Sequence, residues 1–458
     1  MLKALENRLT IQETRSAFGL AAIYGVRMLG LFMILPVFAL YARDLADVTP
    51  TLVGLAIGIY GLTQALLQIP LGMLSDRVGR KPVIVGGLLV FGMGSIVAAM
   101  STSIEGIILG RALQGSGAIA AATLALAADL TRENIRTRVM ALIGLSIGLA
   151  FMLAMVLGPI LNEWIGVPGI FWLTALLALL AIGIVLLFIP TPVQMKHQRD
   201  TEVTQGNFSR VLTDGQLLRL DFGIFALHLM LTANFVVLPL ILQDQFSLAS
   251  AEHWKIYLPV MLVSFLLMLP FLIIAEKQRR MKTVFVSAIG LLVVVEGMLF
   301  LSQPGFWGTV LLVLLYFAAF NLLEASLPSL VTKLSPVDAK GTAMGIYSTS
   351  QFLGIFAGGI VGGWVHAQYG LASVYLLCAV VAGAWLLFAL SMKRPRYLSN
   401  YLINIGRQSR QEAQELVAKL TAVQGVAEAV VVDDVAYLKV EKHALDEEAL
   451  RAFSKPSL

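Results

Sequence analysis

The chain has 458 residues, of which 58% are hydrophobic and 13% charged, and its mean hydropathy is +0.83. A soluble domain carries about 25% charged residues, so the composition excludes a soluble globular fold and, with it, a soluble enzyme. The net charge of +5 does not mark a nucleic-acid binder, because the basic residues follow a membrane pattern, and the single cysteine, Cys378, excludes an intrachain disulfide and a Cys-rich metal site.

A polar N-terminus (Lys3, Glu6, Arg8, Glu13, Arg15) precedes an apolar run too long for a cleaved signal peptide. A spanning helix needs ~20 mostly apolar residues. Twelve runs qualify: 16–41, 51–74, 82–104, 106–128, 139–162, 168–190, 221–243, 256–275, 283–302, 304–332, 341–366 and 370–392. They are continuous rather than alternating, which excludes a β-barrel. Charges interrupt them at 75–81, 129–138, 191–220 and 276–282.

One set of loops, together with both termini, carries nearly all the loop lysines and arginines, such as Arg77, Arg80, Lys81, Arg132, Lys277 and Lys333. The other set offers only Arg43 and Lys255. Cytoplasmic loops hold the Lys/Arg excess, so both termini are expected in the cytoplasm of a bacterial inner membrane.

The two halves repeat. Leu74-Ser75-Asp76-Arg77-Val78-Gly79-Arg80 returns weakly 200 residues later as Ile274-Ala275-Glu276-Lys277-Gln278-Arg279-Arg280. Met140, Gly158 and Gly166 return 204 residues later as Met344, Gly362 and Gly370. Duplicated six-helix halves suit a carrier that rocks around a midplane site.

Beyond 397 the charge density rises and no apolar run is long enough to span. The pattern predicts a strand at 398–405, a helix at 409–422, strands at 426–433 and 435–440, and a helix at 445–453, with Gly425 ending the first helix and Asp433-Asp434 turning the hairpin. The expected fold is an all-α membrane protein: twelve transmembrane helices in two pseudo-symmetric six-helix halves (1–195 and 221–396), a cytoplasmic linker (196–220), and a small cytoplasmic α+β domain (397–458).

The strongest local signal is Gly72-x-Leu74-Ser75-Asp76-Arg77-x-Gly79-Arg80-Lys81-Pro82. Gly72 permits close helix approach. Asp76 places a carboxylate where it meets a helix N-terminus or an arginine. Gly79 allows a tight reversal, and Pro82 suits a first helical turn. A second motif is Arg111-Ala-Leu-Gln114-Gly115-Ser-Gly117, followed by Asp129-Leu-Thr-Arg132-Glu133. On these residues the chain resembles the major facilitator superfamily over about 15–395. Gly148 and Gly158-Pro159 resemble part of the motif of its twelve-helix drug:proton antiporter branch, from which Ile160 and Leu161 depart. With its tail, the whole resembles the YajR-type inner-membrane transporters, which carry a C-terminal ferredoxin-like domain. The resemblance implies that Asp76 contacts the start of helix eleven and that Arg80 reaches Asp129, holding the halves together in an outward-facing state. The second-half copy, with Glu276 in place of Asp76, is degenerate at Leu272 and Arg279.

Charges inside the membrane are functional by default. Arg27 suits a cavity lining. Arg111 is linked by the resemblance to proton transfer, with a packing ion pair as its alternative. Glu324, near Asn321, suits a proton carrier or an edge salt bridge. His228 reads as a hydrogen-bonded histidine, and Glu296 as structural or interfacial. The tail loop Gly406-Arg407-Gln408-Ser409-Arg410 has no thiol, unlike heavy-metal-associated domains that it otherwise resembles. Arg407 and Arg410 at a helix N-terminus suit a small anion or simply a solvated basic loop.

The sequence therefore points to a secondary transporter that couples protons to export of small hydrophobic or amphipathic molecules. It would work by alternating access, as a monomer among membrane lipids, without metal, other cofactor or nucleic acid. A facilitated uptake carrier and a transporter-like sensor signalling through the tail are the alternatives. No Gly-x-x-x-x-Gly-Lys-Ser/Thr loop is present to bind ATP.

Overall fold

A computed structural model describes residues 9–191, 205–302, 304–336, 339–393, 399–406, 408–432, 435–441 and 444–453. Helix α1 runs Ile11–Phe32 and resumes at Leu35–Tyr41, where Pro36 lacks the N–H that would continue it. It starts on a capping box between Thr10 and Glu13. Then follow α2 (Pro50–Val78), α3 (Arg80–Met100) and α4 (Ile104–Ser116, resuming at Ala120–Asp129).

Glu133–Leu187 is helical over 55 residues apart from Gly166, whose φ is 67°. At 1.5 Å per residue such a rod is about 80 Å long, far beyond a hydrocarbon core of ~30 Å. It is therefore two spans, α5 before Gly166 and α6 after it. A short linker helix, Gln205–Leu212, leads to α7 (Gly215–Asp244), α8 (Trp254–Lys277), α9 (Met281–Ser302), α10 (Phe306–Leu334), α11 (Lys340–Tyr369) and α12 (Ala372–Leu390). Among the described residues the bundle thus has the twelve spans expected from the apolar runs. Exposed Trp164, Trp307 and Trp364 sit near the helix ends away from the tail, the depth at which tryptophan favours a membrane interface.

The internal repeat is written in the backbone. Gly166 at φ 67° and Gly370 at φ 86° are 204 residues apart, and each reverses the chain between the last two helices of its half. Gly79 at φ 108° and Arg279 at φ 55° are 200 residues apart, each ending the second helix of its half. The second copy keeps the left-handed turn without the glycine, at about 1–2 kcal/mol of backbone cost.

The tail is a three-stranded antiparallel sheet, β1 (Ser399–Asn404), β2 (Val426–Val432) and β3 (Val435–Val440), in the order β1-β3-β2. Two helices, α13 (Arg410–Thr421) and α14 (Glu447–Arg451), accompany it. Ile403, Leu420, Ala436, Leu438 and Leu450 make its core. This is a ferredoxin-like arrangement, with no fourth strand among the described residues. Asp433 and Asp434, expected to turn the hairpin, lie outside them.

Lys439 on β3 ties the tail to the bundle. It is 5% exposed, donates to the carbonyls of Ser335 and, at 3.2 Å, Lys333, and pairs with Glu428 at 3.6 Å. Burial pushes its ammonium below the usual lysine range, opposed by the Glu428 carboxylate. Arg210 of the linker helix also approaches Glu428, at 4.0 Å. Lys439→Ala removes charge-assisted hydrogen bonds worth about 1.5–3 kcal/mol. Spin labels on the tail and at the end of α10 should then report a broader, longer distance distribution than in the parent.

Candidate functional site

At membrane depth the two halves carry different charges. In the first half the glycines of Gly115-Ser116-Gly117 interrupt α4, which frees the Gly117 carbonyl. Arg27 of α1 donates to it at 3.1 Å and to Gln64 Oε1 of α2 at 2.8 Å. Arg111 donates to Gln114 Oε1 at 2.8 Å and to the carbonyls of Ala56 and Ile57, both at 3.3 Å. Gln114 in turn donates to Ser95 Oγ at 2.8 Å. Both guanidiniums lie over the Tyr60 ring, at 5.9 and 5.3 Å. They are 2% and 1% exposed, and among the described residues neither has a carboxylate partner. Arg27 is placed inside the helix packing, with its Nε and Nη1 left without a hydrogen-bond partner.

The second half holds the acids. Glu324 of α10 lies 3.9 Å from His228 Nδ1 of α7. Gln351 of α11 is 2.8 Å from His228 Nε2 and donates to Glu324 at 3.4 Å. The Glu324 side chain retains 36% exposure, while its Oε2 and His228 Nδ1 are buried without a hydrogen-bond partner. Phe320 packs 5.9 Å from His228. Phe151 of α5 reaches across from the first half to Phe235, Phe317 and Phe320, at 6.4, 6.2 and 6.4 Å.

At the turn between α2 and α3, Arg80 is the hub. It bonds Asp76, Ser75 Oγ at 2.8 Å and Asp129 at 3.2 Å. A Cβ on Gly72 would meet Ala121 Cβ of α4 at 2.9 Å. Arg77 is exposed. Among the described residues Asp76 hydrogen-bonds Arg80 and not α11. In the second half Glu276 takes Lys333 at 2.7 and 2.9 Å. Lys333 lies 204 residues beyond Asp129, so the same two helix ends are joined with an acid replaced by a base.

Helix α11 is packed by glycine on two sides. Gly54 and Gly359 stand backbone to backbone, and a Cβ on Gly58 would meet the Phe356 carbonyl at 2.9 Å. Gly354, Gly358 and Gly362 face Phe225, Leu229 and Ala233 of α7. Further along, Gln68 donates to Thr349 Oγ1 at 2.9 Å. This antiparallel register continues to bring the Asp76 turn level with the first turn of α11. At the end away from the tail, Arg43 and Asp244 form a two-pronged bridge of 2.8 and 2.6 Å between the halves. One apolar cluster there runs from Val37 and Phe38 through Met155 into α7, α8 and α10. The tail-side part of the first half forms a separate cluster, with Phe352 as the buried second-half residue. The face away from the tail is closed.

Several partners escaped the sequence reading: Gln64, Gln68, Gln351 and Asn234, amides scattered through apolar runs. Their signal was a lone polar side chain at membrane depth. Glu296, expected at an interface or in a structural role, is fully buried. Arg407 and the Arg410 side chain lie outside the described residues. Among those described, no cluster of three or more His, Cys, Asp or Glu side chains converges as metal ligands would.

The architecture agrees with known proteins. The family model described as Major Facilitator Superfamily matches residues 20–358 and 220–402. The inner membrane transport protein YajR of Escherichia coli (strain K12) is 48% identical over 95% of this chain and 96% of its own. The multidrug resistance protein MdtH of Aeromonas salmonicida (strain A449) is 27% identical over 74% of this chain and 84% of its own. A bacterial homologue of the human lysosomal transporter Spinster, solved inward-facing and occupied, superposes with a TM-score of 0.70 at 13% identity, over 85% of this chain and 98% of that one. With a family model spanning both halves and a relative nearly half identical along almost its whole length, the chain belongs to the Major Facilitator Superfamily, whose members are transporters.

Proposed function

We propose that this transporter couples inward proton movement to export of small hydrophobic or amphipathic molecules. It sits in a bacterial inner membrane with the tail face cytoplasmic. The Lys/Arg excess on that face supports the orientation. MdtH, a multidrug resistance protein by name, supports the substrate class. The observation that carries the coupling is Glu324 with His228 and Gln351: an acid at membrane depth, partly open, with a base and an amide in reach.

Loss of a proton there leaves a charge that a closed apolar site disfavours, so protonation biases the choice between states. The Asp76 turn biases it too. A carboxylate level with a helix N-terminus favours approach of that helix, and bonding to Arg80 competes for it. Asp76 and Arg80 thus act as a latch between α2 and α11, with Asp129 holding Arg80.

The test is Glu324→Gln in liposomes, with a proton gradient driving a panel of labelled hydrophobic and amphipathic compounds. Gradient-driven flux should fall about tenfold or more, the effect of a 1.4 kcal/mol change in a two-state balance, while thermal stability holds. Unchanged flux and pH profile in a well-folded variant would remove Glu324 from the carrier role. Flux with no pH dependence in the parent would favour the facilitated carrier. Solute flux by the tail-less chain would count against a pure sensor.

A further inference from the structure

A second acid in the same half is set in a different way. Glu296 of α9 is 0% exposed. Asn234 Nδ2 of α7 donates to its Oε1 at 2.7 Å. Its Oε2 has no hydrogen-bond partner, and the same is true of Asn234 Oδ1 and the hydroxyls of Tyr316 on α10 and Tyr375 on α12. Asn234, Tyr316 and Tyr375, with Phe235 and Phe317, line a cavity of ≈ 10 Å³, about the space of one water. Asn234, Tyr316 and Tyr375 are 7%, 3% and 4% exposed. Asn234, Tyr316 and Tyr375 thus bring three helices to one small, mostly apolar cavity, beside the Glu296 carboxyl that Asn234 holds.

The charge balance narrows what belongs there. Tyr316, Tyr375 and Cys378 are the titratable groups within electrostatic reach of Glu296, with Tyr257 of α8 beside Tyr375. None of these is a cation. Among the described residues no Lys, Arg or His forms an ion pair with Glu296. A bare carboxylate with one hydrogen bond in that setting costs several kcal/mol. One positive charge removes the penalty, and a proton needs only the free oxygen and one acceptor. A metal cation such as sodium needs a full shell of oxygens, whereas Asn234 turns its nitrogen toward the carboxyl.

Depth gives the site a use. Asn234 lies six residues beyond His228 on α7, and Tyr316 eight residues before Glu324 on α10. At 1.5 Å per residue these steps are about 9 and 12 Å along the helices, both away from the tail. Glu324 lies nearer the tail side and Glu296 nearer the closed face.

We propose that Glu296, held by Asn234 and with the Tyr316 and Tyr375 hydroxyls nearby, is a proton-binding site stacked above the Glu324 cluster. It holds its proton on Oε2 and exchanges it with solvent. Its role in transport rests on the proton-coupled reading above, but the site itself can be tested without flux.

The test is infrared difference spectroscopy of the purified full chain in lipid near neutral pH, comparing the parent with Glu296→Gln, Glu296→Asp and Glu324→Gln. A carbonyl-stretch band of a protonated carboxyl should be present in the parent, vanish in Glu296→Gln, shift in Glu296→Asp, and persist in Glu324→Gln. It should move on transfer to D₂O and be the same in sodium and potassium buffers. If Glu296→Gln removes no such band, the group is ionised and the proposal fails. A band seen only without sodium makes this a cation site instead. A band inert to D₂O makes Glu296 a sealed structural acid, which also overturns it. Should Glu296→Gln fold poorly, the Glu296→Asp shift decides alone. Failure here leaves the Glu324 flux test untouched, and the reverse holds as well.

Discussion

Arg80→Ala should destabilise the first half by about 3–5 kcal/mol, the usual effect of stripping a buried charge of its partner. The Arg80 and Asp129 side chains are 4% and 3% exposed, and they meet at 3.2 Å. Without the guanidinium, Asp129 keeps its burial and loses its hydrogen-bonded counter-ion. Asp76 is the contrasting case. Its side chain is 27% exposed, and Arg80 would retain Asp129 and Ser75 without it. Asp76→Asn should therefore cost about 1 kcal/mol or less and act mainly on the balance of states. Arg80→Lys should fall between them, since an ammonium is a point charge and cannot span three acceptors as the planar fork does. Thermal unfolding of the purified variants in one detergent orders the three. Equal losses for Asp76→Asn and Arg80→Ala would mean that Asp129 is not held as described.

Gly359→Leu should be at least as severe, and its signature is conformational. A Cβ at this position would meet Gly58 Cα and N at 2.9 Å each and press on the Gly54 carbonyl. These are backbone atoms of the other half, which no rotamer change can move. Overpacking of this kind costs about 3 kcal/mol or more, enough to shift a two-state population more than about a hundredfold. Spin labels beside Arg43 and Asp244 should show the halves parted on the side that is now closed. Gly86→Leu on α3 is the control, because nothing lies within 4 Å of a Cβ there. A Gly359→Leu chain with the parent's distances and stability would show that the α2–α11 contact is not what closes this face.

Much of this was readable before any coordinates. Apolar length alone placed the spans, because a bilayer imposes one dimension on every crossing. The Gly72–Pro82 loop was legible because its residue types are each required by a local turn or cap. What sequence did not supply is which residues meet across helices. His228 and Gln351 are 123 residues apart, and no periodicity links them. The glycines of α11 were visible as a set, but their division between α2 and α7 depends on helix rotation, which packing decides. Glu296 read as structural or interfacial because its depth and neighbours come from four helices at once. Arg27 read as a cavity residue because its span gave no hint that α4 breaks at Gly117 and offers a carbonyl.

The glycine turns at Gly166 and Gly370 bear on how the chain enters the bilayer. During synthesis every loop on the face away from the ribosome must be carried across the hydrocarbon layer, and each polar or charged group in it resists the passage. A reversal made by one left-handed glycine keeps the connection short, with Asn162 and Glu163 before Gly166 and Gln368 before Gly370. Helices α5 and α6, and again α11 and α12, can partition into lipid as hairpins, each with a single tight bend at the end away from the tail. The repeated half thus ends, both times, in a helical hairpin closed by one glycine.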